Sequence, residues 1–201
     1  EKKSLSISEG QQDYFLNEIE KKDFDAIVLS DFNKGLFVES AFVNLASKVI
    51  SYANLKNIPT IVDAKPINAR FFSNATVLCP NRYEAGLFIA ESTPYEQLEL
   101  SNVGNKIKNQ FNVKYIIITC DKDGLFIYDN GKTKQIPAFS HEVVDHTGAG
   151  DTLTAGVALG LASLCSINDA AEFVTMMSGL VVEKMGTAFT SPQELIKRYS
   201  K

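Results

Sequence analysis

Seven residues, Asp145-His146-Thr147-Gly148-Ala149-Gly150-Asp151, put two glycines, an alanine and two carboxylates directly ahead of the apolar-periodic run Thr152-Leu153-Thr154-Ala155-Gly156-Val157. Glycine allows a tight turn and lets an anion approach the backbone N–H groups. At the start of a helix, those amides and the positive end of the dipole favour a phosphate. Asp151 in the same turn is a poor phosphate ligand but a suitable proton acceptor. The combination points to phosphoryl transfer to a hydroxyl. The same residues also have a plainer use. An acid in a first helical turn stabilises the dipole by about 0.3–1 kcal/mol, and Gly-Ala-Gly can serve loop packing alone. The elements around the turn must decide between the two.

Short β-rich runs alternate with helical patterns, the signature of parallel βαβ units. Ala26 to Ser30, Pro59 to Val62, Thr76 to Cys79 and Tyr115 to Thr119 read as strands. Helical spacing puts Phe42, Leu45, Ala46, Val49 and Ala53 on one face. Further helices are predicted around Tyr83 to Ala90 and from Tyr95 to Gln110, with Leu98, Val103 and Ile107 among the apolar positions. Leu125 to Tyr128 and Thr133 to Ile136 flank Asp129-Asn130-Gly131-Lys132, where the Asn-Gly pair marks a hairpin. After the glycine turn, one helix carries Leu153, Val157, Leu161 and Leu164 on a face. A second carries Ala170, Phe173, Val174, Met177 and Val181 and ends at Gly186-Thr187. Ser191-Pro192 opens a short last helix.

The expected fold is a three-layer α/β/α sandwich with a mostly parallel sheet, formed as a single domain over residues 1–201. Ligands of such folds sit outside the carboxyl ends of the strands. Ser30-Asp31, Asp63-Ala64-Lys65, Pro80-Asn81, Thr119-Cys120 and the Gly148 turn all fall at that edge. Their convergence favours the functional reading of the turn.

A net charge of -4 argues against a general nucleic-acid binder and leaves room for a small phosphorylated ligand. Cys79, Cys120 and Cys165 are widely spaced and odd in number, so neither a disulfide framework nor a zinc site is expected. Reduced, mostly buried thiols suit a cytoplasmic location. Glu1-Lys2-Lys3-Ser4 lacks the apolar core of a signal peptide. The apolar stretch from Val174 to Val182 is too short for a bilayer, which needs about 20 residues. No membrane or nucleic-acid partner is expected. His141 and His146 read as loop residues without metal-site spacing.

The segment from Asp145 to Ala158 resembles the C-terminal signature of the ribokinase-like (PfkB) carbohydrate kinases, with its Asp-x-Thr-Gly-Ala-Gly-Asp core and the small residues Ala155-Gly156. His146 departs from the small or β-branched residue usual there. Pro80-Asn81-Arg82-Tyr83-Glu84 resembles the family's Asn-x-x-Glu motif. Ile118 to Gly124 is similar to its strand and glycine turn at the nucleotide site. Three segments resemble the heptose 7-phosphate kinases of lipopolysaccharide-core ADP-heptose synthesis. They are Leu29-Ser30-Asp31-Phe32-Asn33-Lys34-Gly35, Ile61-Val62-Asp63-Ala64-Lys65 and Val182-Glu183-Lys184-Met185-Gly186-Thr187. Here Phe32 replaces a tyrosine and Ala64 a proline. The resemblance also implies that this is the C-terminal portion of a longer kinase, lacking its N-terminal strands and β-lid.

The activity that this resemblance implies is ATP-dependent phosphorylation of a sugar-phosphate hydroxyl. For the heptose branch the reaction takes D-glycero-β-D-manno-heptose 7-phosphate to the 1,7-bisphosphate. Asp151 would take the hydroxyl proton, while the amides of Gly148, Ala149 and Gly150 hold the growing charge. Asn81 and Glu84 would hold Mg2+ through its waters; taken alone, Glu84 is an ordinary solvated first-turn acid. Thr119, Gly124 and Ser178 would border ATP, although Thr119 could simply end its strand. Asp145 would belong to a monovalent-cation site, for K+, or be a plain turn residue. Lys34 and Lys65 could neutralise a substrate phosphate or be merely solvated. A homodimer of the full-length protein is compatible with the family. Competing expectations are a fructose-type or ribose-type kinase of the same family and an inactive nucleotide-binding fragment. A dinucleotide-binding domain is disfavoured, because no Gly-x-Gly-x-x-Gly follows a first strand.

Overall fold

Ile116, Ile117 and Ile118 are all fully buried, yet they point alternately to opposite faces of one strand. Both faces of the sheet must therefore be covered, which explains why its strands read as unbroken apolar runs. The computed structural model describes residues 7–37, 44–139 and 143–200. Six strands, β1 (Ile27–Ser30), β2 (Thr60–Asp63), β3 (Val77–Leu78), β4 (Tyr115–Thr119), β5 (Leu125–Asp129) and β6 (Lys132–Ile136), lie side by side in chain order. The first four are parallel, with Ile27 opposite Thr60 and Ser30 opposite Asp63, and β5 and β6 close the sheet antiparallel. Asn130 and Gly131 join β5 to β6 at φ 47° and 87°, the two positive values that a tight hairpin requires.

One face is covered by α1 (Glu9–Glu20), α2 (Leu45–Lys56), α3 (Arg82–Phe88), α4 (Leu100–Phe111) and a 3-10 turn at Pro66–Phe72. Val49, Phe72, Phe88 and Ile107 there pack with Val62, Leu78, Ile116 and Ile118. The other face carries α5 (Ala149–Ala162) and α6 (Ile167–Val182), whose Leu153, Val157 and Val174 meet Ile61, Val77, Ile117 and Ile127. The short α7 (Pro192–Tyr199) opens on a Ser191–Glu194 capping box. The three layers are those expected from the alternation of strand and helix patterns. Among the described residues, no helix is long and apolar enough to cross a membrane.

Several local expectations need correction. The helix predicted from Tyr95 to Gln110 is two elements. Tyr95–Gln97 forms a 3-10 turn, and the carboxylate of Glu99 then caps the amides of Ser101 and Asn102, so that α4 starts at Leu100. Leu164 does not continue the face of Leu153 and Val157. It lies beyond α5 in a left-handed conformation and is 95% exposed. α6 stops at Val182, short of Gly186-Thr187. Of its predicted face, Ala170, Val174 and Val181 are buried, whereas Phe173 and Met177 are only partly so. α1, opened by a Ser8–Gln11 capping box, was not expected. Phe42, His141 and the first four residues lie outside the described residues.

Candidate functional site

The chain leaves β2, β3 and β4 at the same edge of the sheet, and the first turn of α5 faces that edge. Between them lies a cavity of about 710 Å3. Asp63 and Lys65 line it from the end of β2, Asn81 and Glu84 from the start of α3, and Thr119 from the end of β4. Asp121, Lys122 and Gly124 contribute the turn into β5, and Ala138 and Phe139 the segment after β6. Ala149 and Gly150 of α5, Ser178 and Gly179 of α6, and His146 also line it, with Cys79, Leu153 and Thr175 among the rest.

Asn81 and Glu84 are locked in a reciprocal capping box. The Asn81 side chain accepts from the Glu84 amide at 2.8 Å, and Glu84 Oε2 accepts from the Asn81 amide at 3.2 Å. The remaining Glu84 oxygen accepts from Lys65 Nζ at 2.7 Å. The carboxylate is thus buried and spanned by donors from two segments. The same hydrogen bond raises the pKa of the Lys65 ammonium above the usual lysine range and keeps it charged. Lys65 lines the cavity while its side chain stays 39% exposed. Lys34, by contrast, is exposed in the loop after β1 and does not line the cavity.

The glycine turn opens α5, with Gly148 as N-cap at φ 88°. The first turn of a helix leaves amides without intrahelical acceptors. Here the Ala149 amide is already used, donating to the His146 carbonyl at 3.2 Å. Of the expected trio this leaves Gly148 and Gly150 as candidate anion donors, with the Asp151 amide beside them in the first turn. Asp151 itself is exposed at the rim, close enough to Asp63 for its charge to act on that carboxyl.

Asp145 stands behind the turn. Its Oδ1 accepts from the Thr147 amide and hydroxyl at 2.9 and 2.7 Å, and its Oδ2 from the Gly186 amide at 2.9 Å. These bonds, that of the Thr147 hydroxyl foremost, hold its carboxyl below the usual range. They also tie the turn to the loop after α6. Cys79 and Cys120 are buried free thiols, and burial raises both pKa values, making them unreactive. Cys165 is exposed, so two of the three thiols are buried.

Two titratable cavity residues, His146 and Asp63, lie outside the site roles expected from sequence, as do Asp121 and Lys122. Sequence spacing gives His146 no role beyond that of a loop residue. The signal for Asp63 is an acid that ends the apolar run Ile61-Val62 at the ligand edge. Burial raises the Asp63 pKa; Lys65 opposes this, while Glu84, Asp151 and Asp31 add to it. The folded protein therefore holds this proton more tightly than the unfolded chain. Its stabilising contribution is present below pH 3.8 and is lost as pH rises through the folded pKa. Asp63→Asn in chelator-treated protein should raise Tm by a few degrees near neutral pH, and the gain should vanish in acid. A variant no more stable at neutral pH than in acid would refute this account of Asp63.

A profile for the pfkB family carbohydrate kinases matches residues 5–194. The bifunctional protein HldE of Campylobacter jejuni subsp. jejuni serotype O:2 is 37% identical over 177 residues, covering 87% of this chain. The chain spans only about a third of the length of the curated relatives it matches, 36% in that case. Among solved structures, phosphofructokinase-2 from Escherichia coli in complex with potassium superimposes with a TM-score of 0.81 at 18% identity, covering 97% of this chain and 63% of the other. Arabidopsis thaliana ribokinase complexed with ribose and ATP gives 0.73 at 20% identity, covering 96% and 59%. These two likenesses establish a ribokinase-like fold.

Proposed function

Because the chain belongs to the pfkB family of carbohydrate kinases, we propose that it phosphorylates D-glycero-β-D-manno-heptose 7-phosphate from ATP, giving the 1,7-bisphosphate for ADP-heptose and lipopolysaccharide-core synthesis. The observation that carries this reading is the placement of the α5 N-terminus, with Asp151 in its first turn, opposite the Lys65–Glu84 ion pair across one cavity. The heptose assignment rests on the Ser30 to Gly35 and Ile61 to Lys65 segments and on the likeness to HldE.

In the reaction, the anomeric oxygen forms a bond to the terminal phosphorus of ATP, the bond from that phosphorus to the bridging oxygen breaks, and ADP leaves. Asp151 accepts the hydroxyl proton. An ordinary carboxylate suffices, because phosphoryl transfer depends mainly on positioning and charge stabilisation. The amides of Gly148, Gly150 and Asp151 and the helix dipole face the charge on the transferred group. Lys65 supplies a cation on the acceptor side of the site. Thr119, Gly124 and Ser178 border the nucleotide, and Lys34, exposed in the β1 loop outside the cavity, is proposed to reach the acceptor's phosphate.

The wall formed by Asp63, Asn81 and Glu84 carries oxygen donors, the chemistry that Mg2+ takes. Asn81 and Glu84 would hold it through its waters; when bound, it neutralises the phosphate oxygens. Asp145 and the Gly186 loop, already joined, would hold K+ at their junction. Soluble phosphorylated reactants suit the cytoplasm.

A coupled ADP-release assay across a sugar panel tests this reading. Heptose 7-phosphate should exceed fructose, fructose 6-phosphate and ribose in kcat/KM by at least about two orders of magnitude, the margin a site built to hydrogen-bond its substrate provides. Preference for fructose or ribose would overturn the heptose assignment.

A further inference from the structure

The cavity explains Lys65 but not the buried acid behind it. Asp31, at the end of β1, is only 3% exposed and does not line the cavity. Its Oδ1 accepts from the Asn33 amide at 2.7 Å. Its Oδ2 accepts from the Lys65 amide at 3.2 Å and from Asn68 Nδ2 at 2.9 Å. Asn68, itself buried, also reaches the Asn33 side-chain oxygen at 3.3 Å. One carboxylate thus joins the loop after β1, the loop after β2 and the 3-10 turn that follows it.

Burying a carboxylate costs free energy unless its oxygens are met by donors. Here the donors belong to the segments that carry Lys34 and Lys65. Asn33, bonded to Oδ1, has a left-handed backbone at φ 52°, which sets the course of the loop just before Lys34. The Lys65 amide, bonded to Oδ2, fixes the backbone from which its side chain reaches Glu84.

We infer that Asp31 is a positioning residue for the acceptor side of the site, a single buried carboxylate that holds the two lysine-bearing loops in register. The inference rests on the kinase reading above. It gives the chain a determinant of sugar-phosphate affinity that touches neither substrate.

The test is steady-state kinetics of Asp31→Asn with ATP and heptose 7-phosphate, with thermal unfolding measured alongside. The amide presents one oxygen and one NH2, so one group of donors is left facing another donor. KM for the sugar phosphate should rise about tenfold, while KM for ATP changes by less than about twofold. The second variant, Asn68→Ala, removes one donor to Oδ2 and keeps both backbone bonds, so the sugar KM should rise as well, by about threefold, with KM for ATP unchanged. A lower Tm with both KM values unchanged, or an equal rise in both, would make Asp31 merely structural and overturn the inference.

If no sugar phosphate supports turnover in the parent protein, the kinase reading falls separately. Hydrogen exchange then decides the clamp. Asp31→Asn should quicken exchange in residues 31–37 and 65–72 together, and quickening in one segment alone would overturn it.

Discussion

Asp151→Asn should lower turnover by roughly 10²–10⁴-fold, the range associated with loss of a general base, with ATP affinity nearly unchanged. The asparagine keeps the size and the first-turn position of the side chain, so the α5 N-terminus and its amides stay in place. What disappears is the acceptor for the hydroxyl proton. Because that interaction is made only as the oxygen attacks, kcat and kcat/KM should fall together. Removing the rim charge should also ease ionisation of Asp63, which feels Asp151 as a like charge. Turnover retained within about threefold would remove Asp151 as the base.

Gly124→Ala should be strongly destabilising. Gly124 sits at φ 83°, and a Cβ there would lie 2.0 Å from the Ile136 carbonyl oxygen and 2.6 Å from the Ala138 amide nitrogen. Both are backbone atoms at the end of β6, which cannot turn aside as a side chain can. Backbone strain of about 1–3 kcal/mol adds to an overpacking cost of about 1–3 kcal/mol. At about 2–4 °C per kcal/mol for a chain of this size, Tm should fall by roughly 5–20 °C. ATP should also bind more weakly, since Gly124, Ala138 and Phe139 share the cavity wall. Gly131→Ala is the control: φ is 87°, but nothing lies within 4 Å. It should lose only the conformational part, as read by scanning calorimetry. Equal losses at the two positions would show that the close approach at Gly124 does not matter.

The parts of the fold that were legible in the sequence are those set by near neighbours. Tyr115 to Thr119 is a strand because its β-branched run suits burial on two faces, and Asn130-Gly131 is a turn because few other pairs take two positive φ values. The glycine turn was found in its place at the N-terminus of α5 for the same reason. Pairings across long separations were not legible. Lys65 and Glu84 meet from the ends of different strands, and Asp31 and Asn68 are 37 residues apart. Neither contact leaves a periodic trace. Local competition misled in other places. Glu99 caps α4 where spacing suggested a longer helix, and Ala149 spends its amide on His146 where the motif suggested an anion donor. α1 escaped notice because much of its apolar surface is exposed, with Tyr14 and Phe15 outward.

The most direct measurement of the central claim is phosphorus NMR of the product formed from ATP and heptose 7-phosphate. The account predicts a second phosphate on the anomeric oxygen, with ADP appearing in equal amount. ADP formed without a sugar bisphosphate, or phosphate transferred to any other hydroxyl, would contradict it.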